Sequence, residues 1–277
     1  MAEVVDLICY PVKGCAGLSL SDAPLTAAGL AHDRTFMVTD GNGVYRTQRR
    51  HPRLALIRPV VSADGAGLRL DADGTAVHIE VTTSAPRRRV DLFGASFEGI
   101  DQGDEAAGWL TEVLGTPSRL VRVPPEHDRI ADGWTPGPSG YADSSAVHLL
   151  SRASLALLDR RMAEQGGQPL PMSRFRPNVV VDGTDWAAEP HAEDRVRRVR
   201  IGGAELGWAK LAVRCAVTLV DQETGERRGK EPLRTLARYR RALGGGVVFG
   251  TKFSVLRPGE LSVGDEVVVD GWDAAER

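Results

Sequence analysis

From Val4 to Val81 the chain never runs far before a turn residue interrupts it, and that cadence constrains the fold most. An apolar run beginning at Val4 stops at Tyr10 and Pro11. Thr35, Phe36, Met37, Val38 and Thr39 form another, closed by the hairpin signal Asp40, Gly41, Asn42 and Gly43, after which residues 44–47 return. Residues 54–61 and 67–70 continue the pattern, and Asp73-Gly74 turns the chain into residues 76–81. Short strands at this spacing predict a barrel or sandwich rather than βαβ units.

Helical spacing breaks that rhythm in a few places. Ala106, Ala107, Leu110, Val113 and Leu114 share one face, and Gly115 then Pro117 stop a predicted helix over Asp104–Leu114. Ser151 caps a second predicted helix over residues 151–165, with Leu155, Leu158 and Met162 on one face and Gly166-Gly167 at its end. A third is expected over residues 232–243. Residues 124–140, rich in proline and glycine, read as a linker or mobile lid. The expected organisation is therefore residues 1–123, a connection at 124–140, and residues 141–277. The expected class is α+β, strand-rich, with a few flanking helices.

Composition excludes several functions. A net charge of -2 gives no broad positive field, so neither nucleic acid nor an anionic membrane is an expected partner. Arg87-Arg88-Arg89 and Arg197-Arg198 read as solvated faces beside strands. Cys9, Cys15 and Cys215 make no disulfide framework, which fits a reducing cytoplasm. No signal peptide and no apolar run of membrane-spanning length is read. P-loop, nucleophile-elbow, HExxH and dinucleotide signatures are missing, and Gly244-Gly245-Gly246 reads as a flexible turn.

The chemistry concentrates at Arg214-Cys215, which ends the apolar stretch over residues 207–213. Taken alone, an isolated cysteine reads as a small buried core residue. A thiol directly after a guanidinium, on what reads as a strand, has instead a local reason to ionise, and thiolate binds soft metals. The surrounding sequence favours the second reading. It continues Asp221-Gln222-Glu223-Thr224-Gly225, Lys230-Glu231-Pro232-Leu233-Arg234-Thr235-Leu236, Tyr239-Arg240, Phe249-Gly250-Thr251-Lys252 and Leu261-Ser262-Val263-Gly264-Asp265-Glu266-Val267. Upstream stands Arg174-Phe175-Arg176-Pro177-Asn178.

This ordered set resembles the MOSC domain, named for the C-terminal part of molybdenum cofactor sulfurase. Tyr10-Pro11-Val12-Lys13-Gly14-Cys15, Gly29-Leu30, His32-Asp33-Arg34-Thr35-Phe36 and Thr47-Gln48-Arg49 look like the β-barrel domain that precedes it in amidoxime-reducing components. The resemblance implies an N-terminal β-barrel-like domain packed on a MOSC β-barrel domain. It also implies a molybdenum cofactor, a pterin that carries the metal and a phosphate tail. Cys215 falls where the family's metal ligand lies, and cofactor contacts fall on Lys13, Gly14, Arg34, Ser144, Ser145, Arg176, Asn178, Val213, Arg214 and Lys252. Asp143, which precedes the two serines, is the candidate acid.

Val213 and Lys252 depart from the family pattern, where a small polar residue and Tyr or Asn are usual. His148 reads as a satisfied core residue, Cys9 and Cys15 as structural, and His32, beside Asp33-Arg34, as lying near the inferred site, where proton donation is a secondary reading. The implied activity is removal of oxygen from amidoximes, hydroxylamines or N-hydroxy bases. Electrons would come from a separate flavin or iron–sulfur protein, since the chain lacks the cysteines for a cluster. A sulfur carrier using a Cys215 persulfide, and a non-catalytic cofactor-binding protein, stay open as alternatives.

Overall fold

The first strand, Ala2–Cys9, pairs antiparallel with nearby Leu18–Leu20 on one side and with distant Val179–Gly183 on the other. It thereby joins an eight-stranded sheet in the computed structural model, which describes residues 1–273. From edge to edge the order is Val267–Trp272, Val196–Ile201, Ala204–Arg214, Val247–Arg257, Val147–Ser151, Val179–Gly183, Ala2–Cys9 and Leu18–Leu20. The chain is α+β and strand-rich, as its cadence of turns implies.

This sheet is not a closed ladder, but it curls until its ends nearly meet. Val4 N donates to Asp265 O at 2.9 Å and Gly264 N donates to Val4 O at 2.8 Å, beside an isolated bridge between Glu3 and Glu266. One crossover departs from the antiparallel pattern. Val147–Ser151 and Val179–Gly183 run parallel, and the helix Arg152–Ala163 lies in the connection between them.

A five-stranded sheet occupies the first half, in the order Arg87–Leu92, Ala95–Asp101, Arg119–Arg122, Phe36–Thr39 and Val12–Lys13. The chain passes from the large sheet into this one at Tyr10-Pro11. Proline cannot donate to a ladder, so the switch falls where pairing stops. Asp22–Thr26 pairs with Gly259–Ser262. A division at residue 123 therefore separates several early strands from their partners late in the chain.

The helix Asp104–Leu114 has the expected bounds and ends on Gly115 at φ 66°. Ser151 caps the next helix by accepting from Ser154 N, but the helix stops at Ala163. The third covers only Leu233–Tyr239, because Val248 N bonds to Arg240 O and draws residues 240–248 into a hairpin. Residues 54–56, expected as strand, lie instead in a 3₁₀ turn over Pro52–Leu56 started by its proline. Residues 124–140 are not structureless. Ile130–Ala131 pairs with Gly137–Pro138, while Trp134 N and Thr135 N bond to the Ala204–Arg214 strand at 2.8 and 3.2 Å.

Alternation along the strands builds two main apolar cores. Val4, Leu7, Val147, Leu149, Val179, Val181, Leu206 and Phe253 fill the interior of the large sheet. Val12, Phe36, Val38, Leu54, Leu70, Leu110 and Leu120 fill that of the first half. Each such side chain contributes roughly 1.5–3 kcal/mol of transfer free energy.

Candidate functional site

A cavity of about 340 Å³ is lined from both halves of the chain. Every residue singled out for cofactor contact borders it: Lys13, Gly14 and Arg34 from the first half, Ser144, Ser145, Arg176, Asn178, Val213, Arg214 and Lys252 from the second. Cys215 and Asp143 border it as well. Arg46, Arg49 and Lys210 add further cations, and Asp143 is the one carboxylate among the described lining residues. A cavity so unbalanced in charge suits an anion.

Backbone geometry aims two of the guanidinium groups. Arg34 and Arg176 have left-handed backbone, with φ of 48° and 56°. For residues with a Cβ that conformation costs about 1–2 kcal/mol, so neighbouring bonds must hold it. Arg34 N donates to Tyr10 O at 2.7 Å, and Arg34 O accepts from Tyr141 N at 2.8 Å. The Arg34 guanidinium donates to Asp33 Oδ2 at 2.5 Å and Asn178 Oδ1 at 3.0 Å. The Tyr10 ring centroid lies 4.2 Å from the guanidinium carbons of both Arg34 and Arg176. Such cation–π contact keeps two like charges close together.

Asn178 is a positioning residue. Its Oδ1 accepts from Arg34 and from His148 N at 3.2 Å, and its Nδ2 donates to Ile8 O at 3.1 Å. Its amide thus makes three bonds to protein while the residue borders the cavity.

Other groups are left unmet. Ser144 Oγ, Ser145 Oγ, His148 Nε2, Arg176 Nη2 and Arg214 Nε are buried with no hydrogen-bond partner among the described residues. An unpartnered buried polar group costs about 1–3 kcal/mol. Several of them lining one cavity mark a place built for a ligand rich in acceptors.

The strand Ala204–Arg214 ends one residue before Cys215, which opens the 3₁₀ turn Ala216–Leu219 and is half-buried. Arg214 Nη2 donates to Phe175 O at 2.7 Å. Burial pushes the Arg214 guanidinium down to about 10, against the opposing charge of Cys215 and Asp143. Among the described residues no group of three or more His, Cys, Asp or Glu side chains could hold a metal ion. A metal at Cys215 must then bring most of its ligands with it.

Burial, reinforced by Arg34 and Arg214, pushes the Lys252 ammonium down to about 7. Asp143 pairs with Lys13. Loss of water around its paired oxygen opposes ionisation of Asp143, although the side chain as a whole faces solvent, but Lys13, Lys252 and Arg34 outweigh it and hold its carboxyl below the usual carboxylate range. A carboxyl held ionised at neutral pH has to take up a proton before it can give one, which is the condition on the acid role read from the sequence.

Residues 1–117 match the family described as the MOSC N-terminal beta barrel domain, and residues 136–268 match the MOSC domain. The chain belongs to the MOSC-domain family. The human mitochondrial amidoxime-reducing component 1 is 35% identical to this MOSC chain, over 98% of this chain and 84% of that protein. The rat mitochondrial amidoxime reducing component 2 is 34% identical, over 93% of this chain and 80% of that protein. The molybdenum cofactor sulfurase of Danio rerio is 33% identical over 89% of this chain and 31% of its own length. Among the described residues no helix is long and apolar enough to cross a membrane.

Two histidines of this MOSC chain differ from what the sequence suggested. His148 is buried beside the cavity, with Nδ1 3.3 Å from Arg176 O and Nε2 open. Burial, with Lys252 and Arg214 nearby, keeps its imidazole neutral. His32 does not reach the cavity, and its ring packs against Gly65. Cys15, read as structural, is fully buried in the first-half core, where burial pushes its thiol up to about 12. Sequence reasoning also missed the work of Gln48 and Gln222. Their amides bond to each other at 2.9 and 3.1 Å, and Gln48 Nε2 donates to Gly14 O at 2.7 Å, fixing the Lys13-Gly14 bend. Both glutamines stood in motifs, which is the signal that could have found them.

Proposed function

We propose that this protein binds a molybdenum cofactor in the cationic cavity, with Cys215 as the protein's metal ligand. We further propose that it reduces N-hydroxylated compounds (amidoximes, hydroxylamines or N-hydroxy bases) by removing oxygen. The observation that carries this reading is the set of unmet donors facing a cavity with one carboxylate. A pterin with a phosphate tail supplies acceptors of that kind, and the family membership supports a molybdenum-cofactor-related function. The donor set fits the group.

In this reading Arg176, Arg214, Ser144 and Ser145 hold the cofactor's oxyanions, and Lys252 adds charge that follows pH. Arg34 and Asn178 set the position of Arg176. Cys215 offers a soft donor suited to molybdenum. When bound, the metal supplies two-electron oxygen-atom transfer. Asp143, ionised beside Lys13, orients a substrate instead of protonating it. Electrons come from a separate flavin or iron–sulfur protein, and the substrate is a small molecule.

The test is elemental and pterin analysis of the purified protein, followed by turnover of an N-hydroxylated substrate with reduced viologen. Molybdenum and pterin in equal amounts, with activity lost in Cys215→Ser, is the expected result. Serine offers a harder donor of similar size, so metal retention or turnover should collapse. NADH alone should drive no turnover until a reductase and an electron carrier are added. Full activity and metal content in Cys215→Ser would remove the ligand assignment. A mass increment of sulfur on Cys215 without metal would favour a sulfur carrier.

A further inference from the structure

The hairpin between Arg87–Leu92 and Ala95–Asp101 turns on Phe93 and Gly94, with φ of 59° and 82°. Two positive φ values define the turn that suits right-twisted strands, and its first position favours Asn, Asp or Gly. A phenylalanine there is strained, yet its side chain is not buried; Phe93 is 45% exposed. The strained ring lies instead 4.9 Å from the Tyr45 ring and 4.7 Å from Lys13 Nζ. The backbone locks the two aromatics together, since Tyr45 N donates to Asp91 O at 3.2 Å and Asp91 N donates to Gly43 O at 2.9 Å. Arg49 Nη2 donates to the Tyr45 hydroxyl at 3.1 Å and fixes that ring at the cavity.

Lys13 links this aromatic pair to Asp143, whose Oδ1 it binds. No hydrogen bond among the described residues engages the other carboxylate oxygen, and the Asp143 side chain is largely open to solvent. Cation, carboxylate and two rings thus stand together beside the cavity. A flat aromatic compound carrying an amidine-like group is complementary to this arrangement. Its ring stacks on the aromatic pair, and its planar N–H fork meets a carboxylate oxygen.

Resting on the reductase reading above, we propose that Tyr45, Phe93 and Asp143 form a recognition subsite for aryl substrates whose reacting group is amidine-like. Phe93 then sets specificity without taking part in the chemistry. Its strain is kept because the ring is needed where the turn would favour a smaller residue.

Phe93→Asn removes the ring and suits the turn, so its melting temperature should equal or exceed that of the parent. Two measurements on the full-length, cofactor-loaded protein test the subsite: calorimetric binding of benzamidine, and KM and kcat for benzamidoxime and ring-free acetamidoxime. In Phe93→Asn the benzamidine Kd and the benzamidoxime KM should both rise about tenfold, as loss of one stacking contact implies. The acetamidoxime KM and both kcat values should stay within about twofold, and Phe93→Trp should restore benzamidine binding. Equal KM changes for the two substrates, or no change, would overturn the proposal and leave Phe93 as a cover for Lys13. Phe93-dependent benzamidine binding without any reduction would keep the subsite and remove the reductase reading.

Discussion

Two buried polar clusters lie along the same pair of strands, and they are built on opposite terms. At the end of Val147–Ser151, Glu193 is fully buried and accepts from Ser154 Oγ at 2.7 Å and Ser151 Oγ at 3.1 Å. Thr251 Oγ1 donates to Glu193 O at 3.1 Å, and Asp194 pairs with Arg240. At the start of the same strand, around His148, stand the open donors Ser144, Ser145, Arg176 and Arg214. Strand alternation puts Thr251 in the first cluster and its neighbour Lys252 at the cavity. Unpartnered buried atoms also occur elsewhere, among them His191 Nδ1 and Nε2 near the first cluster and Tyr239 Oη, but at the cavity six residues that carry them line one space. The first cluster holds the fold; the second is completed by something that binds.

This contrast predicts a double dissociation. Glu193→Ala strips acceptors from two buried hydroxyls and leaves a void, so unfolding free energy should fall by about 3 kcal/mol. Cofactor content per folded molecule should not change. Arg176→Ala should do the reverse. It removes a buried positive charge whose burial pushes its guanidinium down, and alanine keeps the same left-handed backbone cost, so stability should move by less than about 1 kcal/mol. Cofactor affinity should fall ten- to hundredfold, about one charge-assisted hydrogen bond. Denaturant melts and molybdenum content, measured on both variants, check the pair. If both lose stability and neither loses cofactor, the distinction between the clusters fails.

The sequence carried the site further than it carried the fold. Turn residues and helical spacing exposed the strand-rich class and the helix Asp104–Leu114, because those signals are local. They could not show that Ala2–Cys9 pairs with Val179–Gly183, since nothing in either segment encodes so distant a partner. The helix Leu233–Tyr239 stops early for the same kind of reason, a hairpin bond from Val248. Motifs brought the lining residues together, yet they left each role open. Asn178 reads as a ligand contact, and its three bonds to protein add a positioning role that no motif encodes. His148 looks like core because strand neighbours hide that Nε2 is open. Phe93 carried no signal, since a ring at a tight turn reads as an ordinary loop residue.

The smallest effect expected is a pH dependence at Lys252, and it sharpens the contrast because the fold-holding cluster should not share it. Burial with Arg34 and Arg214 pushes the ammonium down to about 7, while Asp143 and Asp33 oppose the shift. In the ligand-free protein Lys252 is therefore mostly a cation at pH 6 and mostly neutral at pH 8. An oxyanion binds the cationic form, so affinity should be highest below pH 7 and fall as pH rises through it. Between pH 6 and 8 the loss should approach about tenfold, the ratio of the cationic fractions. Binding at pH 8 should take up a proton as the anion restores the ammonium. Sulfate is the suitable probe because it does not titrate in this range, and calorimetry in two buffers of different ionisation enthalpy reads the proton directly. Lys252→Met should bind sulfate more weakly at pH 6 and show no step near pH 7. A step that survives in Lys252→Met would assign the titration to another group and separate Lys252 from the anion site.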